Sequence, residues 1–159
     1  MPIVKQINGN VISLFKESNA GILVHNFNCV KDLDNNFSEE LIKEFPDIVQ
    51  VDNEFPLPAL YRLGDYSVVP TEYGTILNFY TELTSESSYE YSALKSCLKK
   101  LSMEAIRSGS YIEVMFPITE NSKYNIETIK KILNFQEHLL ITVVTHDKGQ
   151  VPMGEEQAV

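Results

Sequence analysis

Residues 21–46 read GILVHNFNCVKDLDNNFSEELIKEFP, and the rest of the chain is organised around this stretch. Ile22-Leu23-Val24 is an apolar, β-branched run of the length expected of a buried strand. Polar residues then cluster at its end: His25, Asn26, Asn28 and Cys29. A loop of Lys31, Asp32, Asp34, Asn35 and Asn36 leads into Phe37 to Phe45, which reads as a short helix. Asn36 is a favourable N-cap, Glu39 three residues on suits a capping box, and Pro46 ends the helix. A strand passing through a polar loop into a helix N-terminus brings backbone N–H groups and a positive dipole end to the place where α/β sheets commonly bind ligands.

Upstream, Ile3 to Ile7 reads as a strand and Asn8-Gly9-Asn10 as a turn, followed by the apolar stretch Val11 to Phe15. Downstream, Asp47 to Pro58 lacks periodicity and follows Pro46 with two further prolines, so a surface excursion is expected. Tyr66 to Pro70 and Thr75 to Tyr80, separated by Glu72-Tyr73-Gly74, form a β-hairpin signal. The clearest helix is Ser87 to Arg107. Ser87 and Glu90 suit a capping box, Tyr91, Leu94, Leu98, Leu101 and Ala105 share one face, and Gly109 is the stop. Tyr111 to Pro117 is an apolar strand, followed by the loop Ile118 to Tyr124 and a helix with Ile126, Ile129, Ile132 and Leu133 on its apolar side. Leu139 to Val144 is a further buried strand. Strands alternate with helices, which favours one α/β domain, a mixed sheet covered on both faces, over residues 1–146. Residues 147–159 read as a flexible tail. A Rossmann-like domain is the runner-up, disfavoured because no G-x-G-x-x-G follows a strand.

Composition narrows the function classes. The length of 159 residues suits one domain, and a 43% apolar fraction supplies a continuous core. A net charge of −9 argues against a nucleic-acid partner, since phosphate-backbone binding needs clustered Lys and Arg. The short basic pairs Lys99-Lys100 and Lys130-Lys131 sit in helical patterns and read as solvated faces. The two cysteines, Cys29 and Cys97, give neither a disulfide framework nor metal-ligand spacing, so no metal and no cofactor is expected. No run is long enough to span a bilayer, and no membrane partner is expected. A cytoplasmic, reducing setting is the default.

Strand-His25-x-x-Asn28-Cys29, then a loop, a short helix and Phe45-Pro46, resembles the first ligand loop of macro domains, nearest to the small ADP-ribose-1''-phosphate phosphatase-like members. Their pattern is roughly H-x-x-N-C-x-G-x-M-G-x-G-I-A, a Gly-rich loop around a ribose and diphosphate. Leu33 and Phe37 keep the apolar character of the Met and Ile, whereas Lys31, Asp34 and Asn36 stand where the glycines belong. Leu63-Gly64-Asp65 before the hairpin and Tyr91-Ser92-Ala93-Leu94 in the long helix are also similar to the family, in the same order. The resemblance covers roughly residues 3–145 and implies a three-layer α/β/α domain. The family's acidic residue near the adenine is Asn10 here, followed by Val11. Its second Gly-rich loop falls on the Thr119 to Asn121 region, yet no glycine stands between Gly109 and Gly149.

The ligand set implied by the resemblance is therefore Asn10, Val11, Asn28, Asp34, Asn36, Thr119 and Asn121, with His25 as the candidate catalytic group. An amide such as Asn28 at a strand end suits ribose hydroxyls, and an imidazole near a phosphomonoester can shuttle a proton. Asp34 beside a diphosphate is repulsive, which weighs against a tight cradle. Two functions follow. One is recognition of ADP-ribose or a related nucleotide metabolite, with weak ADP-ribose-1''-phosphate phosphatase or ADP-ribosyl hydrolase activity. The other is an altered macro-like module that binds an unidentified protein, or inhibits it, without catalysis.

Overall fold

The computed structural model describes residues 2–18, 21–29, 36–84, 87–119 and 123–147. The first strand, β1, is Ile3–Gly9, and the chain then enters a helix, α1, over Val11–Glu17. The apolar stretch Val11 to Phe15 is thus helical, and the cause is local. Asn10 is the N-cap: its side-chain oxygen accepts the Ser13 N–H at 3.0 Å and its carbonyl accepts the Leu14 N–H at 3.0 Å. Val11 and Phe15, four residues apart, then fall on one face and are fully buried. Packing of that face overrides the β propensity of the individual residues.

In chain order there follow β2 (Ile22–Asn28), α2 (Asn36–Glu44), α3 (Asp47–Glu54), a short 3-10 turn at Ala59–Tyr61, β3 (Tyr66–Pro70) and β4 (Thr75–Glu82). The last four elements are α4 (Tyr91–Ser108), β5 (Ile112–Ile118), α5 (Ile126–Asn134) and β6 (Leu139–His146). One six-stranded sheet has the order β1-β6-β5-β2-β4-β3. All neighbours pair parallel except β3 and β4, the expected hairpin. The runs Ile22–Val24, Ile112–Phe116 and Leu140–Val144 thus share one sheet. Alternation along β2 sends Val24 to one face and Leu23 and Phe27 to the other.

Leu94, Leu98 and Leu101 of α4 and Ile129 and Leu133 of α5 pack on the first face, against Val114, Phe116 and Ile141. The opposite face is covered by α1, α2 and α3 through Phe15, Leu41 and Ile48, against Leu23, Phe27 and Tyr80. The architecture is three-layer α/β/α around a mixed sheet. Two local corrections apply. The supposed excursion after Pro46 contains α3, which buries Ile48 and Asp52, residues four apart on one face. The long helix starts at Tyr91 rather than Ser87. Glu90 takes the N-cap position without a side-chain bond, and the Ser87 hydroxyl accepts the Thr84 N–H instead. At the far end Gly109 adopts φ 78° and closes α4, which a side chain would resist.

Candidate functional site

The sheet order reverses beside β2. Its chain continues to β3 and β4 on one side, and later elements return as β5 and β6 on the other. In open α/β sheets the crevice at such a reversal, outside the carboxyl ends of the strands, is the usual ligand position. Register brings the candidate residues to that end of the sheet. Gly9 pairs with His146, so Asn10 and Val11 emerge beside the end of β6. Ile118 pairs with Thr145 and Thr119 follows it. Asn28 closes β2 opposite Glu82, after an irregularity at Phe27. Asn10, Val11, Asn28 and Thr119 therefore sit along one edge. Asp34 and Asn121 lie outside the described residues; Asn36 opens α2, and its side chain is likewise outside them.

At the β1 end of this edge the Val11 N–H donates to His146 Nδ1 at 3.1 Å. With Nδ1 accepting, the ring proton is on Nε2, which faces Glu40 Oε1 across 3.5 Å. Phe37, in the first turn of α2, lies against the same imidazole with ring centroids 4.8 Å apart. Neither His146 nor Glu40 belongs to a motif of the sequence. β6 runs two residues past the apolar run that ends at Val144, which places His146 at the carboxyl edge.

Towards β2 and β4 the edge is braced by polar ties. Asn28 is 2% exposed, and the Cys29 N–H next to it donates to the Glu82 carbonyl at 3.0 Å. Lys123 reaches Glu82 Oε1 at 3.2 Å and the Ser87 carbonyl at 2.9 Å, joining the segment after β5 to the segment after β4. The Tyr89 hydroxyl donates to Asn26 Oδ1 at 3.0 Å, and its ring packs edge-on against Tyr91 and Tyr124. Burial pushes the Cys29 thiol up to about 11, so it stays a thiol at neutral pH and is a poor nucleophile.

His25 lies one layer deeper, fully buried under α2. Its Nδ1 is 2.9 Å from Asn78 Oδ1 and its Nε2 is 2.9 Å from Ser38 Oγ. Because Asn78 Nδ2 donates to Ser67 Oγ, its Oδ1 must accept from His25 Nδ1–H, and Nε2 then accepts the Ser38 hydroxyl proton. The series continues from Ser67 through the Tyr80 hydroxyl to Asp52 Oδ1, so every donor points towards that carboxylate. Burial lowers the His25 imidazole to about 4, and it is neutral at physiological pH.

Among the described residues no group of His, Cys, Asp and Glu could hold a metal ion. No described helix is long and apolar enough to cross a membrane. The same architecture occurs in solved structures. The macrodomain of Thermus aquaticus DarG superposes with TM-score 0.65 over 90% of this chain and 97% of its own, at 16% identity. A macrodomain protein from Streptomyces coelicolor gives TM-score 0.67 over 90% of this chain and all of its own, at 12% identity. This chain has the macrodomain fold. Thermosipho africanus DarTG, solved in complex with ADP-ribose, matches this chain with TM-score 0.60 and 13% identity, over 87% of this chain and 41% of that one. No family model matches the sequence. An uncharacterized 17.5 kDa protein from the tk-vs intergenic region of Enterobacteria phage T4 is 32% identical over 104 residues. That match spans 62% of this chain and 66% of the phage protein, just under two thirds of its length.

Proposed function

We propose that this macrodomain recognises ADP-ribose or a closely related nucleotide metabolite. The observation that carries the reading is that Asn10, Val11, Asn28 and Thr119 stand at the same, carboxyl, end of the sheet, after the parallel strands β1, β2 and β5. Helix α1 begins there with the Val11 N–H, a donor of the kind that suits a base, and β2 ends there with Asn28, whose amide is of the kind that suits ribose hydroxyls. A protein of like fold solved with ADP-ribose adds support from outside the chain.

Turnover is a separate matter. His25 has both ring nitrogens engaged inside the protein and is neutral, so we assign it to positioning α2 rather than to proton transfer. Phosphatase or ADP-ribosyl hydrolase activity is then slow or absent. Calorimetric titration with ADP-ribose tests recognition directly. Saturable binding is expected, weakened about tenfold in Asn28→Ala by loss of one hydrogen-bonding side chain, or about 1–2 kcal/mol. No heat at millimolar ADP-ribose would reject the reading in favour of a protein-binding module.

A further inference from the structure

The first N–H of a helix has no partner within the helix and goes to water, a side chain or a ligand. For α1 the acceptor is a residue 135 positions away in sequence, the His146 ring at the end of β6. That ring is a flat heteroaromatic body against Phe37, with a side chain only 6% exposed. It presents an unprotonated nitrogen to Val11 N–H and an N–H to the Glu40 carboxylate, the two nitrogens flanking a single carbon. Adenine presents the same acceptor–carbon–donor series along N1, C6 and its exocyclic amino group. Asn10 cannot supply a carboxylate to that amino group, and its side-chain oxygen is already used on the Ser13 N–H. Glu40 supplies one from the neighbouring helix.

We infer that His146 is a built-in stand-in for an adenine base, holding the Val11 N–H and facing Glu40 in the free protein, and that it leaves both when the adenine end of a ligand seats. The inference rests on the reading of this domain as a nucleotide-metabolite binder. It adds that the site is self-occupied. A bound state reached only after His146 withdraws has its apparent affinity reduced by the fraction of protein that is open.

The experiment compares ADP-ribose binding by the unmodified protein, His146→Ala and His146→Gln, each checked for folding by circular dichroism and thermal unfolding. The alanine variant removes the occupant and should bind about fivefold tighter or better. The glutamine variant keeps an acceptor for Val11 N–H and should stay near the unmodified affinity. Saturable binding by both proteins, about fivefold or more tighter in the alanine variant, supports the inference. Binding by the unmodified protein with equal or weaker binding by a folded alanine variant overturns the inference and leaves ADP-ribose recognition standing. Binding by neither overturns both. If the alanine variant does not fold, nitrogen-15 spectra of the unmodified protein decide. The Val11 amide and the His146 ring nitrogens must shift together on saturation with ADP-ribose; a stationary His146 ring, or no binding, overturns the inference.

Discussion

Arg62 Nη1 donates to Asp52 Oδ1 at 2.8 Å in a place where Asp52 is 1% exposed. The same carboxylate oxygen accepts the Tyr80 hydroxyl at 2.6 Å, and Arg62 is further held by the carbonyl of Leu57 through Nε at 2.8 Å. Its guanidinium also lies over the rings of Phe55 and Tyr80. Burial raises the Tyr80 phenol, with the bond to Asp52 adding to it, so Tyr80 remains a donor at all ordinary pH values.

Removing Arg62 takes a cation away from a buried carboxylate. Arg62→Met should therefore destabilise the domain by about 3–5 kcal/mol, read as a lower urea midpoint with an unchanged slope. Pairing it with Asp52→Asn should restore part of that loss, because the buried charge is gone. A single variant within 1 kcal/mol or so of the unmodified protein would mean that Asp52 is reached by solvent.

His25 gives a signed pH dependence. Burial puts its folded-state value at about 4, below the ordinary 6.5. The unfolded chain takes up a proton as pH falls through about 6.5, and the folded chain does so only near 4. Stability contributed by the neutral buried ring is complete above that window and lost within it, by on the order of 2–3 kcal/mol. Urea unfolding at pH 7 and pH 4.5 should show that extra loss in the unmodified protein and not in His25→Gln. Identical pH dependence of the two proteins would refute an enclosed, neutral His25.

Lys31, Asp34 and Asn36 stand where the macro-domain pattern that this stretch resembles has glycine, and Asp34 adds negative charge where that resemblance implies a diphosphate. Changing all three to glycine should raise ADP-ribose affinity about tenfold, roughly 1.4 kcal/mol. Hydrolysis should stay slow, since the second family loop still has no glycine between Gly109 and Gly149. Calorimetry and a phosphate-release assay read the two outcomes separately. Low-micromolar binding and rapid dephosphorylation by the unmodified protein, with turnover alone abolished in a folded His25→Ala, would restore His25 as the catalytic group.

Much of the fold was carried by local sequence. β2, β5 and β6 were legible as apolar runs, the β3–β4 hairpin by its turn, and α4 by one apolar face ending at Gly109. These elements are long or strongly patterned enough that short-range periodicity and cap chemistry select them. Tertiary structure decided the rest. Val11–Glu17 is seven residues of mixed propensity, and it is a helix because Asn10 caps it and its buried face has a sheet to meet. Asp52 is buried because Arg62 and Tyr80 converge on it from other segments. His25 is enclosed by Asn78 and Ser38, and Val11 meets His146 across nearly the whole chain. A sequence shows which groups can donate and accept; which of them meet depends on strand order and register, set by the packing of the whole domain.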